Sequence, residues 1–458
     1  MMILRGSLIA LMLASAATAQ TAPDARRAAE RDLFKKIVEV PTVEGRGQMP
    51  KLTRLLTGEF RKVGITNVVV KDHDNTQTLI ARWPAAKPSG KKPILLMAHM
   101  DVVEANPADW KNDPFIFREE GGYYLGRGAS DNKAALTGIL LALQDLKRAG
   151  FQPTRDIIVL FTGDEETSGN GARRAATEWR ELIDAEFALN GDAGGGNVYK
   201  DGRVESFSMQ IAEKTYADYK LTAVNRGGHS SRPRPDNAIY ALAGALKGIE
   251  AHRFEPMINE ATRGAYERIA ANDKGQFGEL IRKWLGNPAD RETADLLEAN
   301  DPGYTRTRCV ATKIAGGHAP NALPQKATAN VNCRIFPGVK IETIRAELQA
   351  VAGPDVKVEV DDASPESGVS PLRSDVVEAY QAAIDTRFKG APIVPGMSAG
   401  ATDGSYLRNA GLPVYGVGGL WGIVGEEEGA HGLDERVLIE GFHGQIPIWE
   451  EMLRRLAG

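Results

Sequence analysis

The sequence predicts an α/β protein built from strand–helix–strand units, with a second, α+β module inserted into it. Three observations predict this. Short apolar, β-branched runs at Pro93–Ala98, Ile157–Thr162 and Glu186–Leu189 alternate with longer stretches of helical spacing, the pattern of parallel βαβ units. The chain then changes character, to alternating strands and a long polar, helix-prone stretch, before the α/β pattern resumes after Pro365. Each of the first three runs leads into potential metal ligands: His99, the acids Asp164–Glu166, and Asp192.

Taken in order, Met1–Arg5, the apolar run Leu8–Ala16 and Ala17-Thr18-Ala19 read as a signal peptide cleaved before Gln20. The expectation is therefore an exported protein, periplasmic or secreted. The apolar run is too short to span a bilayer, and no later run of 18 apolar residues follows. Ala25–Val40 and Leu52–Val63 have helical spacing, closed by Pro41 and Gly64. Val68–Val70 and Thr78–Trp83 read as strands, followed by the buried strand Pro93–Ala98. Asp131–Lys147 reads as a helix with Ala135, Ile139, Ala142 and Leu146 on one face, then the 156–162 strand, a helix over Gly169–Leu182, and the strand Glu186–Leu189. Tyr216–Val224, Arg306–Ala315, Ala327–Phe336 and Val356–Val360 read as strands of the inserted module, with a helix over Asp236–Ala251 and a helix-prone insertion over Glu255–Asn300. Helix Ser374–Phe388, a Gly-rich turn, strand Pro413–Val417 and helix Gly441–Leu456 complete the first domain. The expected organisation is a signal peptide at 1–19, a discontinuous catalytic domain at 20–212 and 363–458, and an inserted domain at 213–362.

A length of 458 residues suits two or three domains. The net charge of −4 is spread along the chain with no basic patch or arm, which argues against nucleic acid as a partner. The two cysteines, Cys309 and Cys333, cannot supply a thiolate zinc site by themselves; any metal must use His and carboxylates. Folding the strands that carry them about the Pro320–Pro324 loop, with residue numbers summing to 642, sets Cys309 opposite Cys333 and Ile314 opposite Thr328. Cross-strand neighbours of this kind lie within disulfide reach. The alternative is two buried free thiols.

The stretch Asp156–Glu166, DIIVLFTGDEE, carries the chemical argument. A buried strand running into consecutive acids is costly unless something compensates the charge. Metal or proton-transfer chemistry is one reason; a solvated acidic turn favouring the next helix N-terminus is the other. Two further strands ending in the same way favour chemistry, because ligands in open α/β sheets bind beyond the carboxyl ends of the strands. A lone His is usually structural, but His99 ends a buried strand, and Asp101 two residues on can orient its imidazole. His99, Asp131, Glu166 and Asp192, with Glu165 adjacent, suit hard or borderline divalent ions, zinc first. Two ions sharing a carboxylate need a further ligand. His431, in the Gly-rich loop 429–435 of the returning domain, is the best candidate.

The motifs MAHMD (97–101), GRGASDNKAA (126–135), TGDEETSG (162–169), NGD (190–192), NRGGHSSRP (225–233), PNALP (320–324), CRIFPG (333–338) and the late His431 together resemble the M20 family of di-zinc metallopeptidases, from about Ala28 to the C-terminus. That family includes bacterial glutamate carboxypeptidase, aminoacylases, carnosinase-type dipeptidases and yeast carboxypeptidase S. The resemblance implies a zinc-peptidase-like α/β/α catalytic domain with an inserted lid and dimerisation domain, and two divalent metal ions, zinc by expectation. It implies that His99 and Asp192 bind one ion, Glu166 and His431 the other, and that Asp131 bridges them. Glu165 would be the general base and Asp101 would orient His99. His229 would reach the partner subunit's active site in a homodimer formed through the inserted domain. Asn321 and Arg334 would bind substrate, Arg334 through a terminal carboxylate, for which a guanidinium fork is suited; its alternative is a pair with a protein acid. Asp403 reads as structural or near the ligands. The expected function is hydrolysis of dipeptides, short peptides or N-acyl amino acids with a free C-terminal carboxylate. The rivals are an aminopeptidase on the same fold, which needs an acidic pocket for the substrate amine, and a non-catalytic binding relative, which would have lost the base or a ligand.

Overall fold

The computed structural model describes residues 24–458; the expected signal peptide, 1–19, lies outside the described residues. A ten-stranded sheet forms the spine of the catalytic domain. At its heart, Ile94–His99 lies between Ile157–Thr162 and Phe187–Asn190, parallel to both. All six residues of Ile94–His99 are buried, because both faces are covered. Leu96 and Ala98 join the core that includes Leu136 and Leu140 of helix Lys133–Arg148 and Trp449 of the C-terminal helix Ile439–Ala457. Leu95 and Met97 join the core that includes Ala172 of helix Asn170–Ala176 and Leu407 of helix Gly404–Asn409. This is a three-layer α/β/α sandwich, and the side-chain alternation of a strand explains why its sequence is apolar without a break.

The chain leaves Ile94–His99 for Ile157–Thr162 on one side, then returns to Phe187–Asn190 on the other. The strand order thus reverses at the His99 strand, and a crevice opens at its carboxyl end. Val414–Gly416 pairs with Phe187–Asn190 in parallel and leads on to Val204–Glu213, which also pairs with Ile393–Ser398. The sheet is completed only by strands from the far end of the chain.

The inserted sheet is four-stranded and antiparallel, in the order Arg308–Gly316, Lys326–Ile335, Thr215–Val224 and Val356–Ala363. Helices Ala238–Ala251 and Ile341–Ala352 share its core. Cys309 and Cys333 are joined by a disulfide with Cα atoms 4.1 Å apart. The register between their strands sums to 642 only from Arg308–Arg334 to Ala311–Val331. A bulge at Thr312 then shifts it, so that Ile314 faces Ala329 and not Thr328. Asn330 Nδ2 donates to Thr312 Oγ1 at 2.8 Å, which gives the extra residue a partner.

Other elements also differ from expectation. Val204–Glu213 and Ile393–Ser398 are strands that the sequence pattern did not disclose. The first carries Ser206, Ser208, Gln210 and Glu213, polar residues that break its apolar run; the second carries Pro395 and Gly396, which weaken a strand signal. The expected helix over Gly169–Leu182 is two, Asn170–Ala176 and Arg180–Ile183. At the break, Thr177 Oγ1 donates to Arg173 O at 2.8 Å, a side-chain bond that competes with the helical ladder. The 255–300 insertion folds as Glu260–Asn272, Gln276–Gly286 and Arg291–Glu298, around its own core of Tyr266, Ile281, Trp284 and Leu297. Its first helix packs against Ile393–Ser398 of the catalytic sheet, where Gly264 leaves room for Pro395.

Lys133, fully buried, ties the first helix to the crevice. Its ammonium donates to Val40 O at 2.7 Å and Val38 O at 3.4 Å, at the end of helix 24–38. That places a cation on the unpaired carbonyls of a helix C-terminus. Among the described residues no helix is long and apolar enough to cross a membrane.

Candidate metal centre

Loops and strand ends converge beyond the carboxyl edge of the sheet. His99 is the last residue of its strand, and its Nε2 lies 2.8 Å from Asp131 Oδ1 and 3.3 Å from Asp192 Oδ1. Asp131 precedes helix Lys133–Arg148, which begins two residues later than the sequence pattern placed it. Its other oxygen, Oδ2, lies 3.2 Å from His431 Nε2, which in turn is 2.9 Å from Glu166 Oε2. Two sets of ligands result, His99–Asp131–Asp192 and Asp131–Glu166–His431, the prospective ligand atoms of each within 4.8 Å of one another. Asp131 belongs to both, one oxygen to each side.

The consecutive acids after Thr162 divide their work. Asp164 accepts from Gly171 N at 3.0 Å and from Ser168 Oγ at 2.7 Å, at the start of helix Asn170–Ala176. For this residue the helix-terminus reading is the right one. Glu165 and Glu166 both line a cavity of about 420 Å³ together with Asp131, Asp192 and His431. Asp101 has more contacts than the sequence pattern suggested. His99 Nδ1 lies 3.1 Å from the Asp101 backbone carbonyl and 3.5 Å from its Oδ1. The strand has ended before Asp101, so the i, i+2 geometry does not extend to it. Its carboxylate also accepts from Glu165 N at 3.2 Å and Glu166 N at 3.0 Å. The carbonyl and the carboxylate of Asp101 both lie against the imidazole, and the carboxylate also holds the turn that presents the two glutamates.

These side chains fit a pair of cations. Burial pushes the Glu165 carboxyl well above its ordinary range, with the charge of Asp192 adding to it. Burial and then the charge of Asp131 push Glu166 up to about 7. Burial also raises Asp192. Among the described residues no Lys or Arg pairs with Asp131, Glu166 or Asp192; their only cationic partners are His99 and His431. A buried anionic cluster of this kind needs positive charge, and N/O ligands in two groups of three with a shared carboxylate match two divalent ions with coordination positions left open.

Of the other expected residues, the structure brings Arg334 to the site. It lines a cavity of about 510 Å³ with Glu165, Tyr216, Asp362 and Thr402. Its guanidinium stacks 5.0 Å from the Tyr216 ring centroid and donates to Ala399 O at 3.3 Å, and no carboxylate among the described residues pairs with it. His229 and Asn321 lie elsewhere. Gly228–His229 pairs with Ala322–Leu323, and Ser230 N donates to Asn321 O at 3.0 Å. His229 and Asn321 are exposed, and neither lines the metal cavity.

Comparison with known proteins agrees with this geometry. The profile of peptidase family M20/M25/M40 matches residues 95–455. The chain belongs to that family. Among its relatives, an N-fatty-acyl-amino acid synthase/hydrolase of Xenopus tropicalis is 27% identical over 79% of this chain and 72% of its own length. A probable carboxypeptidase S-like protein of Dictyostelium discoideum is 27% identical over 82% of this chain and 74% of its own. Among solved structures, an M20 metallo-carboxypeptidase of Sulfolobus solfataricus superposes with a TM-score of 0.69 at 19% identity, over 93% of this chain and 98% of that one. As an M20 member the chain is a metal-dependent hydrolase of amide bonds, and its two groups of candidate ligands support two metal ions.

Within this M20 site, the sequence alone did not point to several supporting residues. Glu435, fully buried, accepts from the backbone N–H groups of Gly128, Ser130 and Asp131 and from Arg127 Nη1, at 2.7 to 3.0 Å. Glu213 accepts from Thr402 N at 2.8 Å and Arg408 Nη1 at 2.6 Å, fixing a loop that lines the cavity. Asp403, which the sequence already marked as structural or near the ligands, is buried and accepts from Thr162 Oγ1 at the end of strand Ile157–Thr162. For Glu435 the one available signal was position, in a Gly-containing loop four residues after His431.

Proposed function

We propose that the protein is an exported di-zinc amidohydrolase that cleaves dipeptides, short peptides or N-acyl amino acids bearing a free C-terminal carboxylate. The observation that carries this reading is the position of Glu165. It lines both the metal cavity and the cavity of Arg334, yet no ligand group needs it. A spare carboxylate beside two bound cations is placed for proton transfer. His99 and Asp192 would hold one ion, Glu166 and His431 the other, with Asp131 between them. When bound there, the ions would supply Lewis acidity toward the scissile carbonyl and water. Glu165 takes the proton from the attacking water and returns it to the leaving nitrogen. Arg334 pairs with the substrate's terminal carboxylate and sets the scissile bond in register with Glu165.

Export rests on the sequence of residues 1–19. A homodimer through the inserted domain accounts for the exposed Val310 and Ile314 on the edge strand Arg308–Gly316, and for exposed Tyr240 beside it. It would also give His229 and Asn321 a role, at a partner's site. Hydrolysis of a panel of free dipeptides, N-acyl amino acids and their C-terminal amides by zinc-loaded protein tests the reading. Turnover of amides in preference to free acids would favour an aminopeptidase, and no turnover of any of them would favour a non-catalytic relative.

A further inference from the structure

Between the metal cavity and Arg334 the chain passes from one domain to the other without a loop. Val204–Glu213 of the catalytic sheet and Thr215–Val224 of the inserted sheet are separated by Lys214 alone. On the catalytic side, the Lys214 backbone N–H donates to Ser398 O at 3.0 Å, in the wall of the metal cavity. On the inserted side, Tyr216 is paired with Arg334 in register and stacks on its guanidinium.

The three-helix module of residues 260–298 grips this junction. Lys214 is buried, and its ammonium donates to Arg306 O at 2.7 Å, in the segment that leads out of the module. Burial pushes this amine down to about 8, with the charge of Glu298 pulling the other way. Gly303, at φ +85°, packs against it; a Cβ there would stand 3.0 Å from Nζ. Glu298, the buried last residue of the third helix, accepts from Gly303 N at 2.7 Å, Thr305 N at 3.1 Å and Thr305 Oγ1 at 2.6 Å. These bonds shape the turn that presents Arg306 O. Glu298 also accepts from Arg308 Nη1 at 3.2 Å. Arg308 stands opposite Arg334 in register, beside the Cys309–Cys333 bridge. Like charges directly opposed repel, and Glu298 offsets that repulsion.

The strand of Arg334, Lys326–Ile335, lies between Arg308–Gly316 and Thr215–Val224. The module thus holds both neighbours of that strand, one through Glu298 and Arg308, the other through Lys214. At its other end, helix Glu260–Asn272 is seated on Ile393–Ser398, whose last residue is the partner of Lys214 N. A carboxylate-reading group displaced by about 1 Å can cost about 100-fold in rate, because the scissile bond moves with it. We propose that the three-helix module is a brace between the two domains that positions Arg334 against the metal cavity before substrate arrives, with Lys214 and Glu298 as its positioning residues. This rests on the reading of Arg334 as the group that pairs with the substrate's terminal carboxylate.

The test combines a distance with a ratio of rates. Spin labels on Lys247→Cys, in helix Ala238–Ala251 of the inserted domain, and Arg173→Cys, in helix Asn170–Ala176 of the catalytic domain, report the angle between the two; both positions are exposed, and the native cysteines are already joined. Zinc-loaded protein with the native Lys214 and Glu298 is expected to give one narrow distance distribution without substrate. Lys214→Met and Glu298→Gln are each expected to broaden it at least twofold. In unlabelled protein each is expected to shrink the ratio of kcat/KM for Ala-Leu over its C-terminal amide at least tenfold, through KM for the free acid, with turnover of the amide unchanged. A broad distribution with both residues native overturns the proposal whether or not the variants fold. So does a folded variant that keeps the native width, or one that loses acid and amide activity in equal proportion. If wild type cleaves acid and amide equally, or neither, the reading of Arg334 or of the reaction falls, and the distance distributions alone still decide whether the module is a brace.

Discussion

Glu435 Oε1 accepts the backbone N–H of Asp131 at 3.0 Å. Asp131 and His431 come from opposite ends of the catalytic domain, and Glu435 stands four positions after His431 in the same loop. One buried carboxylate therefore sets the spacing between a shared ligand and the last ligand, with Arg127 balancing its charge at 2.7 Å. Glu435→Gln keeps the shape but removes the charge and leaves Arg127 buried without a counter-ion. Metal affinity is expected to fall by about 10- to 100-fold, as when groups behind a ligand are altered. Chelator competition measures it. Unchanged affinity would mean that the loop holds its position without this carboxylate.

Glu165→Gln is expected to lower kcat by about 10² to 10⁴ while both metals stay bound, because a general base is lost and no ligand is. Metal content of the purified variant, measured beside its turnover, separates the two roles. Loss of one metal equivalent together with activity would move Glu165 into the ligand set.

Amidating the C-terminus of a good substrate is expected to cut kcat/KM by about 30- to 1000-fold, the equivalent of ~2–4 kcal/mol for a charged partner lost in a desolvated cleft. Arg334→Ala should lose a similar factor on the free acid and little more on the amide. Equal cleavage of acid and amide by wild type would remove Arg334 from substrate recognition.

A pH effect is expected far from the metals. Glu30, in helix 24–38, lies 2.6 Å from His443 Nδ1 and accepts from Arg26 Nε at 2.7 Å. Burial pushes its carboxyl up, but the hydrogen bonds from His443 and Arg26 outweigh this and hold it below the ordinary value. A carboxyl lowered on folding binds fewer protons in the native state, so its stabilisation is complete above its unfolded pKa and is lost as pH falls through its folded one. The difference in thermal stability between wild type and Glu30→Gln should be present at neutral pH and should close in acid. A gap that is constant across pH would mean that Glu30 acts through packing alone.

What could be read in the sequence follows from which forces leave a local trace. Ile94–His99 and Ile157–Thr162 are covered on both faces, so their apolar runs are continuous, and His99, Glu165 and Glu166 are found by reading off the ends. Val204–Glu213 is equally central, but Ser208 and Gln210 face the cavity and Glu213 holds Arg408 and Thr402, so polar residues interrupt the pattern. Glu435 is a lone acid in a polar loop whose partners are backbone amides far away in sequence, and a backbone amide has no sequence signature. The Thr312 bulge moves the register by a single residue, a change no residue pattern announces. Asp101 was placed by strand geometry that ends two residues before it.

The order in which the chain supplies its ligands has a temporal consequence. His99, Asp131, Glu166 and Asp192 are all present in the first half of the 458-residue chain, but His431 and the clamp Glu435 lie close to its end, and Val414–Gly416 must insert beside Phe187–Asn190 to close the sheet. A chain that stops before His431 carries the His99–Asp131–Asp192 group but not the whole Asp131–Glu166–His431 group. On the proposed ligand assignment, hydrolytic competence would wait on synthesis through Glu435, and a chain cut before His431 would be inert.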